Sequence, residues 1–100
     1  MDFLILAINQ LVNHLDKMEV MSSGRFKPKV IIRSAVGSVR PLFPGYQHNQ
    51  NHCSALRKML TNVDLVELKR SKDIIPVYKK ALKSDKSTII IEYPDLYDLK

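Results

Sequence analysis

The sequence predicts an α/β fold, three layers deep (α/β/α), built on a mainly parallel sheet. Three observations lead there. Short apolar runs with strand character alternate with stretches of helical periodicity, an order that implies right-handed crossovers and helices on both faces of a sheet. The last of these runs, Thr88 to Glu92, is nearly continuously apolar, the pattern of a strand buried on both sides. The first run empties into a loop rich in Gly, Pro, Arg and aromatic residues, and such a loop at the end of a buried strand is where an α/β protein keeps its chemistry.

Asp2 is a candidate cap for a helix running to about Met21, with Leu4, Ile8, Leu11, Leu15 and Met18 at the three-four spacing of one buried face. Ile5 and Val12 widen that stripe, so the helix is expected to be covered on more than one side. Ser22-Ser23-Gly24 ends it. Lys29 to Arg33 is the first strand, and nothing after Gly37 continues either a strand or a helix period. Ser54 to Leu60 reads as a short helix with Leu56, Met59 and Leu60 inward. Val63 to Leu68 is the second strand. Ser71 or Asp73 can cap a helix to about Lys83, with Ile74 or Ile75, Tyr78, Ala81 and Leu82 inward, and Pro76 falls in its first turn, where it costs little. Three strands are few for such a sheet, and they leave an edge unpaired and an apolar face uncovered.

One hundred residues hold one domain at most. With 45% apolar and 26% charged residues, the composition is ordinary for a soluble globular protein and disorder is not expected. The formal charge of +6 raises a nucleic-acid reading. Yet the basic residues from Arg57 to Lys86 fall mostly on polar helix faces, without an arginine-rich tract or interleaved aromatics, so a solvated face is the better account and no nucleic-acid partner is expected. The same charge suits an anionic substrate or an acidic partner subunit. Cys53 is the only cysteine, which rules out an internal disulfide and suits a reducing cytoplasm. The apolar start, Phe3 to Ile8, is too short to span a bilayer and lacks the flanks of a signal peptide. His14, His52 and Cys53 have no spacing that makes a metal site.

The loop delivers His48 flanked by Gln47, Asn49 and Gln50. A loop histidine taken alone is more often a surface or hydrogen-bonding residue than a catalytic one. Its surroundings shift that balance. Asp2-Phe3, the helix with Asn13 to Lys17, Arg33 to Gly37 and His48-Asn49-Gln50 follow one another in the order of the phrases F-x-D-F/Y, N-x-x-x-K, R-x-x-x-G and H-S-Q. In that combination the chain resembles the pyrimidine-binding domain of thiamine-diphosphate enzymes, transketolase-like proteins and beta subunits of 2-oxoacid dehydrogenases among them. Residues 1–100 then form a single partial domain, the second half of such a unit. Two departures stand out: the loop between Gly37 and His48 is longer than the common form, and Asn49 replaces the usual Ser.

The resemblance implies a thiamine-diphosphate-dependent enzyme to which this chain contributes the pyrimidine-side wall and a substrate-facing histidine loop. His48 is the catalytic candidate, since an imidazole can donate to a developing oxyanion or shuttle a proton near neutrality. Phe3 matches the aromatic ring that stacks on the pyrimidine, and equally a core aromatic at a helix start. Arg33 and Arg40 suit a substrate carboxylate or phosphate, and equally an exposed salt bridge. Tyr46, Gln47 and Gln50 are candidates for the same pocket. The chain has no G-D-G motif with a downstream Asn. Magnesium and the diphosphate therefore fall to a partner domain or subunit, and a homo-oligomer or hetero-assembly is expected. The acidic residue that activates the cofactor in the family has no counterpart in this segment. The alternative reading is accordingly a truncated, non-catalytic interaction module or a reading-frame fragment.

Overall fold

The computed structural model describes residues 1–37, 45–46 and 50–96, with backbone only for Asp2 and Phe3. It is an α/β structure with three parallel strands: β1 (Ile31–Ala35), β2 (Asp64–Leu68) and β3 (Thr88–Glu92). The spatial order is β1-β3-β2, so the last strand in sequence lies in the middle. Thr88 pairs with Ile31 on one side and Asp64 on the other, and the register runs unbroken to Glu92, opposite Ala35 and Leu68.

This order dictates where the helices go. The path from β1 to β2 crosses the sheet in one direction and the path from β2 to β3 returns in the other. Right-handed crossovers in both directions need opposite faces. Accordingly α2 (Cys53–Met59) packs with Ile89 and Ile91, while α3 (Ile74–Lys83) packs with Ile90. The N-terminal helical run joins α2 on its face. Among the described residues α3 is the one helix packed on the other face, and Arg33 and Val30 are open to solvent beside the outer edge of β1. Ile89, Ile90 and Ile91 are fully buried, as the apolar run predicts, and each such side chain contributes about 1.5–3 kcal/mol relative to exposure.

The predicted first helix is helical but not uniform. It begins as a 3-10 helix (Asp2–Ala7), widens to a π-helix (Gln10–Leu15) and ends as α1 (Met18–Met21). Leu4, Ile8, Leu11, Val12 and Leu15 face the core as the spacing predicts, but Ile5 is half exposed and Leu6 largely so. Ser23 and Gly24 close the run with positive φ, and the Gly24 amide reaches back to the Glu19 carbonyl at 2.7 Å. In α2, Cys53 and Leu56 face inward, whereas Met59 is turned out. In α3, Ala81 is buried and Tyr78 half-buried, but Leu82 and Ile75 are exposed because only one strip of this helix meets the sheet. Asp73 does not cap it; its carboxylate pairs with Arg70 at 3.0 Å instead.

The π-helix has a consequence at its end. The Asp16 amide bonds the Leu11 carbonyl at 2.9 Å, and the Asp16 side chain turns inward to complete burial. Its carboxylate accepts the backbone amides of Thr61, Asn62 and Val63, at 2.9, 2.6 and 2.9 Å, and the Thr61 hydroxyl at 2.9 Å. Lys17 pairs with it from outside. Burial alone would raise the carboxyl pKa, but the Lys17 ammonium and these amides outweigh it and hold the group well below the usual carboxylate range. Asp16 thus pins the turn that feeds β2, a role that nothing in the hydrophobic pattern announces.

Asp16→Asn is expected to cost about 2–4 kcal/mol at neutral pH, read by urea denaturation, because three backbone amides lose a buried charged acceptor. The lowered folded-state pKa also fixes a sign. As pH falls, the unfolded chain takes up the proton first, so wild-type stability is complete above about pH 5 and declines below about pH 4. That acid slope should be reduced in Asp16→Asn. Equal stability of the two proteins at neutral pH would show that packing alone holds the turn.

Candidate functional site

The chain leaves β1 toward one face and β2 toward the other, which opens a crevice at the carboxyl end of β3. A cavity of about 600 Å³ lies there, walled by Arg33 from β1, Leu68 and Arg70 at the end of β2, Ile74 and Tyr78 from α3, and Glu92 from β3. Its size is that of a small-molecule site. Glu92 organises the polar wall. Arg33 meets it through two parallel bonds, Nε to Oε2 at 2.9 Å and Nη2 to Oε1 at 3.0 Å, and the Tyr78 hydroxyl donates to Oε2 at 2.7 Å. Arg33 is 68% exposed and Glu92 only 13%. The guanidinium therefore stays accessible while the carboxylate is held. Burial, and then the Glu92 carboxylate, push the Tyr78 phenol up.

A second network lies on the opposite face of the same strand end. Successive residues of a strand point to opposite faces, so Tyr93 turns toward α2. Its hydroxyl donates to Glu67 of β2 and accepts the Asn51 side-chain amide at 3.2 Å. The other Glu67 oxygen meets Arg57 of α2 at 2.9 Å. The Tyr93 hydrogen bond, with Arg57 behind it, holds the Glu67 carboxyl below its usual range. Burial and then Glu67 push the Tyr93 phenol up to about 12. Cys53 is a buried free thiol beside this network; burial and the Glu67 charge push it up, so it is no ready nucleophile. His52 keeps Nε2 buried without a partner among the described residues.

Of the residues singled out from sequence, Arg33 is brought to the cavity wall. Phe3 lies in the first helical segment, its side chain outside the described atoms. Arg40, Gln47 and His48 lie outside the described residues. Tyr46 is 87% exposed, Gln50 is exposed, and neither lines this cavity. Sequence reasoning missed Glu92, Tyr93, Glu67, Tyr78 and Asn51. One signal was available: Glu92-Tyr93 is an acid and a phenol together at the end of a buried apolar strand, where one polar residue must face each layer. Among the described residues no group of three or more His, Cys, Asp or Glu could hold a metal ion, and no helix is long and apolar enough to cross a membrane.

The chain is 30% identical over 100 residues to pyruvate dehydrogenase E1 component subunit beta-3, chloroplastic, of Oryza sativa subsp. japonica, covering 25% of that protein. It is 31% identical over 100 residues to the chloroplastic subunit beta-3 of Arabidopsis thaliana, covering 24%. It is 29% identical over 100 residues to the pyruvate dehydrogenase E1 component subunit beta of Gracilaria tenuistipitata var. liui, covering 30%. The similarity runs the whole length of this chain, which spans about a quarter of the first two relatives. No family model matches it.

Alkaline titration followed by phenolate absorbance should resolve a late component, with its midpoint pushed up to about 12. Tyr93→Phe should remove it. A folded-state phenol pKa above the unfolded one means that the Tyr93 contribution to stability is complete below the unfolded value, about 10, and is lost as pH rises through about 12. Titration of every tyrosine with one ordinary midpoint would contradict the Glu67–Tyr93 bond.

Proposed function

We propose that this chain is part of a thiamine-diphosphate-dependent 2-oxoacid dehydrogenase, forming the pyrimidine-side wall of the cofactor site and presenting His48 to the substrate. The observation that carries the reading is collinearity. Similarity to pyruvate dehydrogenase E1 beta subunits extends from the first residue to the last, and the phrases around Phe3, Arg33 and His48 keep the order of the enzyme family. The parallel sheet supports it, since a crevice at the carboxyl ends of parallel strands is where such a fold binds ligands.

The described residues fit one half of the cofactor. The carboxyl edge offers apolar and aromatic surface from Leu68, Ile74 and Tyr78, suited to a flat heteroaromatic ring. Its carboxylates Glu92 and Glu67 are each engaged by an arginine and a tyrosine. A divalent ion and the diphosphate are therefore assigned to a partner domain or subunit. The stacking role of Phe3 belongs to the family resemblance alone, since its helical run lies on the α2 face and not along this cavity. The cofactor, when bound, supplies a nucleophilic carbon that permits cleavage beside a carbonyl group. His48 would donate a hydrogen bond, and then a proton, to the carbonyl oxygen of a 2-oxoacid. Arg33, paired with Glu92 but exposed at the cavity wall, would attract the substrate carboxylate.

The same reading calls for association. Leu6 (81% exposed), Val20 (70%) and Met21 (61%) are open to solvent, and β1 has one unpaired edge among the described residues. Sedimentation of the chain at tens of micromolar should show self-association, and a clean monomer would remove this part of the proposal.

The decisive measurement is turnover in the assembled enzyme, with the partner supplying the diphosphate site. His48→Ala should lower kcat on the order of a hundred-fold or more while changing cofactor affinity little. His48→Gln should recover part of the loss, keeping a donor but not proton transfer. His14→Ala, on the exposed face of the π-helix, is the control and should change little. Small and equal effects of His48→Ala and His14→Ala would sink the catalytic role of the loop.

A further inference from the structure

The network around Tyr93 is closed. Asn51 accepts the Cys53 amide on Oδ1 at 2.9 Å, a turn that opens α2, and donates from Nδ2 to the Tyr93 hydroxyl at 3.2 Å. Tyr93 donates to Glu67, and Glu67 returns to α2 through Arg57 at 2.9 Å. The circuit thus ties β2, β3 and both ends of the first two turns of α2. Glu67 lies on the same sheet face as Leu65, Ile89 and Ile91, where packing alone would place an apolar side chain. Its ring partners Asn51 and Arg57 are exposed, so the circuit adds little to global stability. What it does supply is a fixed position for Asn51. The next residue is held through its backbone alone: the His52 amide donates to Met1 Sδ at 3.1 Å and its carbonyl accepts the Leu56 amide at 2.9 Å, while Nε2 has no partner among the described residues.

We propose that Tyr93 and Glu67 are positioning residues: held by Glu67, the Tyr93 hydroxyl clamps Asn51 and so fixes the point where the residues 38–50 segment joins α2, three residues after His48. The inference rests on the reading of that segment as substrate-facing. The anchor stands at the central strand, the most deeply buried element of the fold, so the position it sets is referred to the rigid core and not to the surface. Tyr93 itself packs against the core on its ring face, and only its oxygen serves the clamp.

Amide hydrogen exchange on the full chain tests this without reference to activity. Tyr93→Phe keeps the ring and removes the hydroxyl. Exchange at the amides from Asn51 to Leu56 should accelerate by about tenfold or more, with Ile89 to Ile91 unchanged. Asn51→Ala breaks the same link and also frees the Cys53 amide, so its effect should be at least as large, and the double variant should be no faster than Asn51→Ala alone. Glu67→Gln, which retains an acceptor, should give a smaller effect. Unchanged exchange from Asn51 to Leu56, a uniform rise that includes β3, or additive effects in the double variant would each overturn the clamp. Turnover of the assembled enzyme separates the two ideas. If exchange responds to Tyr93→Phe and His48→Ala leaves turnover intact, the clamp stands and the substrate-facing reading falls. If His48→Ala abolishes turnover and exchange ignores Tyr93→Phe, the reading stands and the clamp falls.

Discussion

The structure depends on a strand that arrives last and sits in the middle. Until Thr88–Glu92 inserts, β1 and β2 have no partner in each other, because they are never neighbours. Insertion supplies both ladders at once and buries Ile89, Ile90 and Ile91 completely. Neither half of the sheet is a stable intermediate structure alone, since a two-stranded pair is marginal in water. The β1–β3 pairing also joins residues more than half the chain apart, so the entropic cost of closing that loop is met before the contacts reward it. Helix placement, core composition and the crevice at the strand ends all follow from this one insertion.

Polar anchors complete what the apolar strand begins, at both ends of the sheet. At the amino end, buried Asp16 gathers the amides of residues 61–63, and Ser87 ties the approach to β1 by accepting the Val30 amide at 2.9 Å. At the carboxyl end, Glu92 and Tyr93 each hold one layer, the first through Arg33 and Tyr78, the second through Glu67 and Asn51. The two ends differ in kind. Asp16 is wholly buried and most of its bonds are made to backbone amides, so it serves stability. Of the carboxyl-end groups, Arg33, Tyr78 and Glu92 stand around a cavity, the arrangement expected where charge must remain available to a ligand.

The whole-length similarity to E1 beta subunits and the local polar networks speak to different questions. Similarity bears on the chemistry proposed for the chain. The networks bear on how this particular chain holds its strand ends, through residues outside the motif phrases that carry the resemblance. The networks stand at one edge of the sheet, because the parallel topology delivers the carboxyl end of every described strand to that edge.

By itself the sequence determined the fold class and the existence of every strand, because burial on a pleated or helical surface leaves a period that composition cannot hide. Thr88 to Glu92 was legible to the residue, since a strand buried on both faces must be apolar throughout. It also pointed to the loop after β1 through its turn and aromatic residues and to Arg33, whose place at the cavity wall is seen. Only the tertiary structure decided strand order, the π-helix that turns Asp16 inward, the exposure of Leu82 and Met59, and the pairing of Glu92, Tyr93 and Glu67 with their partners. The physical reason is range. Hydrophobic periodicity is a local property written along the chain, whereas a buried carboxylate is chosen by amides that lie far away in sequence and meet it only once the central strand is in place.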